Sequence, residues 1–441
     1  MATCLCGALT IEITIYGWST RAGRSDGTKT KHTSVGASHR RPGKGAFVAV
    51  ATVFILFLAA SSAPSPLYVI YQEQWHFAAW ALTVVFALYV FGLLASLLTV
   101  GGLSDHLGRR PVLAAAIALE VVALVLFLVA GNVYVLSAAR VLQGIATGAA
   151  TTTLSAMLVD LEPVRGRAGV VTSIAPLSGL AAGALGSGML VELAPSPTRL
   201  VYALLLAGMA AAAVVVARTP ETSPRRPGAV ASLRPRVAMP AHLRADLVPL
   251  VPAGIAAWAL AGMYLSLGPS VAAQLLGLHS HLIGGVVVTL LAGTGAVSIT
   301  LLRSRPASTL LAPSAALLGI GTLISLAGVA QDLAWLAAVG TVISGIGFGA
   351  SVLATFGTLA RVAKPHERGA VFALANVINY LGNSVPAVLG GIAVTNIGLR
   401  TAAEIYALVI VVITFSALAL RLNQVRVERH SATTAEITPC S

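Results

Sequence analysis

The sequence predicts an all-α membrane protein of about twelve spans, arranged as two six-helix halves. Three observations predict it. Of 441 residues, 57% are apolar and 10% charged, with a mean hydropathy of +0.88, a balance that a water-soluble globule of this size does not show. The apolar residues gather into about twelve stretches, each near the ~20 residues that cross a hydrocarbon core. A Pro- and Arg-rich segment interrupts them once, close to the middle of the chain.

The elements follow in order. Residues 1–45 are rich in Gly, Ser, Thr, Lys and Arg after Trp18, and Glu12 breaks their one apolar run, so they read as a disordered tail without a cleaved leader. The first half, 46–217, holds spans at Ala46 to Tyr71, Ala78 to Val100, Pro111 to Ala130, Tyr134 to Val159, Ala168 to Glu192 and Arg199 to Ala217. In the linker, 218–245, Pro220, Pro224, Pro227, Pro235 and Pro240 forbid a continuous helix. The second half, 246–420, holds spans at Leu247 to Gln274, His281 to Leu302, Ser308 to Ala330, Leu333 to Ala360, Ala370 to Val394 and Thr401 to Leu420, and a tail closes the chain at 421–441.

The halves repeat one another. Gln143-Gly144-Ile145-Ala146-Thr147-Gly148 parallels Ser344-Gly345-Ile346-Gly347-Phe348-Gly349, and Tyr202-Ala203-Leu204 parallels Tyr406-Ala407-Leu408, at offsets of 201 and 204 residues. Duplicated six-helix units around a linker place a substrate site between them.

The formal charge of +13 is spread over loops rather than gathered on one face, which argues against a nucleic-acid partner. If both termini are cytoplasmic, 25 of the 28 Lys and Arg residues fall on the inside, and the positive-inside rule sets that orientation. Cys4, Cys6 and Cys440 all sit in the tails, so no disulfide framework or four-ligand metal site is expected. Neither a cofactor nor a catalytic residue is expected, because no phosphate-binding loop occurs and energy must come from a gradient.

Polar residues inside the spans are the chemical candidates. Arg140, Gln143, Thr147 and Thr151 follow i, i+3, i+7, i+11 and form one face of the fourth span, with Gly144 and Gly148 as a packing surface beside it. An arginine there either snorkels outward or works inside the bundle, and intramembrane charge is costly enough to favour the second. Glu120 is the acid nearest the middle of a span; it lies roughly 7 to 8 Å deeper than Arg140 at 1.5 Å per residue, close enough for the two side chains to meet. Asn376, Asn379, Tyr380 and Asn383 make a stripe on the eleventh span that serves either as interhelical glue or as a cavity wall for a small-molecule substrate. Pro176, Gly179 and Gly183 mark a kinked, closely packed fifth span.

The run Gly101-Gly102-Leu103-Ser104-Asp105-His106-Leu107-Gly108-Arg109-Arg110, at the junction of two spans, resembles the loop after the second helix of major facilitator superfamily transporters. The fourth-span pattern Arg140-Val141-Leu142-Gln143-Gly144 is similar to that of proton-coupled members, and Ala175-Pro176-Leu177-Ser178-Gly179 resembles, incompletely, a motif of exporters. The resemblance implies twelve helices with pseudo-two-fold symmetry. It also implies a cytoplasmic latch in which Asp105 meets the helix starting near Gly369, and Arg109 meets Asp160. By the same token Arg140 takes part in coupling, and the protein is a monomeric, multi-pass carrier in the plasma membrane that exports a small organic compound against a proton gradient. An uptake symporter for a metabolite or sugar is the alternative, and a transport-inactive sensor or scaffold is the alternative of another class.

Overall fold

The computed structural model describes residues 44–437 except 165, 236, 245–247, 249, 279 and 365–366. The expected tail up to residue 43, Arg165 and Pro365 of two expected loops, and the expected start of the seventh span at Leu247 lie outside the described residues. What is described is helical, without a strand.

The first half runs through α1 (Lys44–Ser62), α2 (Tyr68–Trp75), α3 (Ala79–Val100), α4 (Ser104–Leu107), α5 (Arg109–Val129), α6 (Val133–Asp160), α7 (Arg167–Leu193) and α8 (Pro197–Arg218). The linker contributes α9 (Ala229–Ser232) and a 3-10 turn at Ala241–Leu243. The second half runs through α10 (Leu250–Ser266), α11 (Gly268–Gln274), α12 (His281–Leu302), α13 (Ala307–Ala330), α14 (Ala334–Val362), α15 (Arg368–Ile397) and α16 (Leu399–Ile437). Among the described residues eleven helices are long and apolar enough to cross a membrane, and α10 with α11, bent by 55°, makes a twelfth. Successive spans alternate direction, so the loops holding Arg109, Glu162, Arg303 and Lys364 share one end of the bundle with the linker. That end is called here the loop end, and the opposite one the far end.

Three expectations change. The stretch from Ala46 to Tyr71 is not one helix, because Pro64 and Pro66 lack the N–H groups that would continue the ladder, and a turn separates Ser62 from Tyr68. The seventh span breaks at the corresponding place, where Gly268 and Pro269 start a new helix. At the carboxyl end, α16 continues past Leu420 to Ile437 instead of giving way to a tail, since the sequence offers no Gly or Pro there to stop it.

Local signals position the helices. Asn132 Oδ1 accepts the Tyr134 and Val135 N–H groups, both at 3.0 Å, and so caps α6, a device worth ~1 kcal/mol. Small residues set the spacing. Gly144 packs directly on the Tyr89 carbonyl and Gly148 on the Leu93 carbonyl, which brings α6 against α3. Gly179 and Gly183 do the same for α7 against the Ile55 and Ala59 carbonyls of α1. Outward faces remain apolar, with Val122, Val125 and Val129 on α5 and Leu408, Val409 and Val412 on α16 exposed. Lipid offers no hydrophobic drive between helices, so this close backbone packing carries the association.

The two halves meet tightly in the far half of the bundle. Thr83 of α3 presses on Gly391 of α15, and Gly285 of α12 on the Ala184 carbonyl of α7. Thr289 Oγ1 donates to the Ala181 carbonyl at 2.9 Å, and Ser65 Oγ to the Leu265 carbonyl at 2.5 Å. At the loop end, by contrast, a Cβ built on Gly369 would meet nothing within 4 Å.

Candidate functional site

The break after Ser62 creates the first half of the site. A chain that turns at Pro64 leaves the last carbonyls of α1 without intrahelical donors and swings Tyr68 beneath them. Arg140 of α6, only 1% exposed, fills that position: its Nη1 donates to the Ser61 carbonyl at 2.8 Å and to Gln143 Oε1 at 2.7 Å, and its Nη2 to the Tyr68 hydroxyl. The guanidinium carbon lies 5.3, 5.4 and 5.6 Å from the ring centres of Tyr68, Tyr89 and Phe127. Each such contact contributes up to ~2 kcal/mol when desolvated. The side chain therefore stays inside the bundle rather than snorkelling to an interface.

Arg140 and Glu120 do not meet. Gln143 stands between them, donating through Nε2 to Glu120 Oε1 at 3.0 Å and to the Ala60 carbonyl at 3.1 Å. Their depths along the two helices put the side chains at compatible heights, but Gln143, one turn from Arg140, occupies the gap. Glu120 is fully buried, and among the described residues its Oε2, like Arg140 Nε, has no hydrogen-bond partner. Aromatic groups close the cluster: the Tyr71 hydroxyl donates to Tyr202 at 3.0 Å, and Tyr202 stacks on Phe127 with centroids 4.9 Å apart. Sequence reasoning missed Tyr71, Tyr89, Phe127 and this role of Tyr202, because aromatic residues in apolar spans carry no positional signal of their own.

The stripe on α15 divides. Asn383 Nδ2 donates to the Trp258 carbonyl of α10 at 3.1 Å, and Asn379, 3% exposed, faces Gly254 of the same helix. These two sit between helices of one half. Tyr380 contacts the Trp258 ring as well, with centroids 5.3 Å apart and the planes tilted by 59°, and also packs against the first-half core, while Asn376 is half-buried.

At the loop end, Arg109 gathers the charges. Its Nη1 contacts Asp105 Oδ1 at 2.5 Å and Ser104 Oγ at 2.7 Å, and its Nε reaches Asp160 Oδ2 at 3.2 Å. Asp105 is thus occupied by Arg109 within its own loop and does not reach the helix start at Gly369. The loop is instead held by the linker, whose Glu221 accepts from the N–H groups of Arg109 at 2.8 Å and Arg110 at 3.0 Å. Those are orphan donors of the α5 amino terminus, where a carboxylate is favoured by the helix dipole. Gly108, at φ 99°, both needs a residue without Cβ and leaves room for that carboxylate, since a Cβ there would come within 2.8 Å of Glu221 Oε2. Gly101 and Gly102 lie in the turn itself, with Ser232 of the linker 3.5 Å from where a Cβ on Gly102 would stand. Arg110 Nη2 donates to the Ala217 carbonyl at 2.6 Å, Thr222 Oγ1 to Asp160 Oδ2 at 2.8 Å, and Arg226 N–H to the His106 carbonyl at 2.8 Å. Glu221 was missed as well; an acid three residues past the end of α8, flanked by Pro and Thr, was its only signal.

Burial of the Glu221 carboxyl would raise its pKa, but the N–H groups of Ser223, Arg109, Arg110 and Thr222 together hold it below the ordinary 4.5. A carboxyl with a depressed folded value stabilises the fold fully above the unfolded value and loses that contribution as pH falls through the folded one. We therefore expect the amides of Arg109, Arg110, Thr222 and Ser223 to lose hydrogen-exchange protection in Glu221→Gln at pH 7. In the parent protein the same loss should occur only below pH 4.5.

Residues 50–385 match the sequence model of the Major Facilitator Superfamily, which spans more than half of the chain. The chain belongs to the major facilitator superfamily. Solved structures agree in fold: the human organic anion transporter MFSD10 (TETRAN) superposes with a TM-score of 0.64 at 17% identity, covering 84% of this chain and 98% of that one. The nucleoside transporter NupG superposes with a TM-score of 0.64 at 13% identity, covering 85% of this chain and 99% of that one. At such identities the likeness concerns the fold. As a facilitator-superfamily member the protein is a multi-pass membrane transporter, with the Gly101–Arg110 run after its second span and the buried Arg140 cluster in its fourth.

Proposed function

We propose that this facilitator-superfamily transporter exports a small, amphipathic organic compound against proton entry, as a monomer working by alternating access in the plasma membrane. Both termini and the loop end face the cytoplasm, in line with the Lys and Arg distribution. The observation that carries the reading is the sealed chain Arg140, Gln143, Glu120, in which a carboxyl has one bonded and one free oxygen inside the bundle. Burial favours the protonated form of a carboxyl and an approaching guanidinium favours the ionised one. Gln143 separates the two groups in this conformation, so a rearrangement of one glutamine side chain would change the setting of the carboxyl. Thr147, Asn376 and Tyr380 are the residues proposed to meet substrate.

The far-end contacts and the unoccupied space at Gly369 correspond, on this reading, to an inward-facing state. Asp105 would exchange Arg109 for the α15 amino terminus when the loop end closes. Pro176, Gly179 and Gly183, in the exporter-like stretch of α7, support export over uptake.

Purified protein in proteoliposomes tests the coupling. In Glu120→Gln, substrate should still bind with an affinity within a few-fold of the parent, while substrate-driven proton movement disappears. Coupling that survives unchanged would eliminate Glu120 as the carrier. Cells expressing the parent should hold less of a transported compound than cells lacking it; net accumulation would point to uptake instead.

A further inference from the structure

The duplication leaves a space in the second half that the first half fills. Advancing by 201 residues carries Arg140 to Thr341, Tyr89 to Leu290, Phe127 to Gly328 and Tyr68 to Pro269. A guanidinium and three aromatic rings are thus replaced by a threonine, a leucine, a glycine and a proline at the equivalent positions. Two of these positions, Leu290 and Thr341, line a cavity of about 190 Å³ among α10 to α14, toward the far end, with Val271, Leu276, Val287 and Ala338 among its other walls. Among the described residues no charged side chain lines it. An apolar cavity of ~150 Å³ accommodates a benzene-sized guest.

One wall is polar. Tyr264 Oη lies 2.7 Å from Thr341 Oγ1 and 3.1 Å from Ser325 Oγ, and Thr341 Oγ1 itself donates to the Ala337 carbonyl at 2.8 Å. With the Thr341 proton committed, Tyr264 donates to Thr341 and Ser325 donates to Tyr264. All three protons are then used, and what remains is acceptor capacity, greatest at the Ser325 oxygen, which accepts nothing in this chain while Thr341 and Tyr264 each accept one bond. A guest that completes this chain must supply a donor. It should also be uncharged, because no counter-ion lines the cavity among the described residues and burying an unpaired charge is costly.

From this we propose that the cavity is a binding site, separate from the interface between the halves, for a neutral single-ring molecule carrying one hydroxyl donor: a phenol. The inference stands on the cavity and the hydroxyl chain alone and does not depend on proton coupling or on transport direction.

4-Fluorophenol and 4-fluorotoluene, followed by fluorine NMR on the full-length protein in lipid nanodiscs, test it. The phenol should bind saturably to the parent. Ala338→Phe, which fills the cavity, should weaken it at least tenfold, and Ala334→Phe, one turn earlier on the same wall, serves if the first variant does not fold. Ser325→Ala should weaken the phenol about tenfold and leave the toluene unchanged. Equal binding by the parent and a folded cavity-filled variant would overturn the proposal, as would saturable binding seen in detergent but lost in nanodiscs, which would assign the space to lipid chains. Equal losses of phenol and toluene in Ser325→Ala would overturn the hydroxyl assignment.

Discussion

Arg140→Ala is expected to abolish transport and to leave a protein that is markedly less stable. The substitution strips the Ser61 carbonyl, Gln143 Oε1 and the Tyr68 hydroxyl of their donor at once and removes the cation from among three rings. Removing one partner from a buried charged network costs about 3 to 5 kcal/mol, because the remaining polar groups stay desolvated and unmatched. Arg140→Lys separates charge from geometry. An ammonium keeps the positive charge, but as a compact point charge it lacks the planar fork with which the guanidinium engages the Ser61 carbonyl, Gln143 and Tyr68 together. Lysine should therefore recover little of the lost midpoint in a thermal unfolding assay and none of the substrate flux. Wild-type flux in Arg140→Lys would show that charge alone suffices and would remove the network from the proposed mechanism.

The second large effect is steric. In Gly144→Ala a single methyl group collides with the Tyr89 carbonyl oxygen and comes within 2.9 Å of the Leu93 nitrogen, both of them backbone atoms of α3. No flexible side chain is available to yield, so the helices must separate. Overpacking of this kind costs about 1 to 3 kcal/mol, and here it also disturbs the helix that carries Arg140 and Gln143. Gly186→Ala provides the opposite sign, because a Cβ there meets nothing within 4 Å. Relieved of glycine's backbone entropy, that variant should gain about 0.5 to 1 kcal/mol. Comparing thermal midpoints of the two variants reads the contrast directly; a harmless Gly144→Ala would mean that α3 and α6 are not packed through backbone contact.

How far the site could be read in the sequence varies residue by residue. Arg140, Gln143 and Glu120 stand out because polar groups in lipid are rare and costly, and helical spacing puts the first two on one face. Their pairing could not be read, since depth along a helix fixes height but not which side chain fills the gap. The Asn stripe on α15 likewise reveals a polar face without its direction. Asn379 and Asn383 turn toward α10, whereas Tyr380 also reaches the first-half core. The loop from Gly101 to Arg110 was legible as a motif, whereas its partner in this conformation, Glu221 of the linker, became visible only once the chain was folded back against α5.

The sequence by itself determined the class of the protein: apolar runs of membrane-crossing length, a duplicated order of motifs around a linker, and charges largely confined to the loops, with Arg140 and Glu120 as exceptions inside the spans. Those are one-dimensional properties, set by the thickness of a bilayer and the cost of placing charge within it. Only the tertiary structure decided that the first and seventh spans break, that Gln143 separates Arg140 from Glu120, and that Glu221 caps α5. Each depends on which groups compete for a limited set of donors and acceptors once helices are packed, and that competition is resolved in space rather than along the chain.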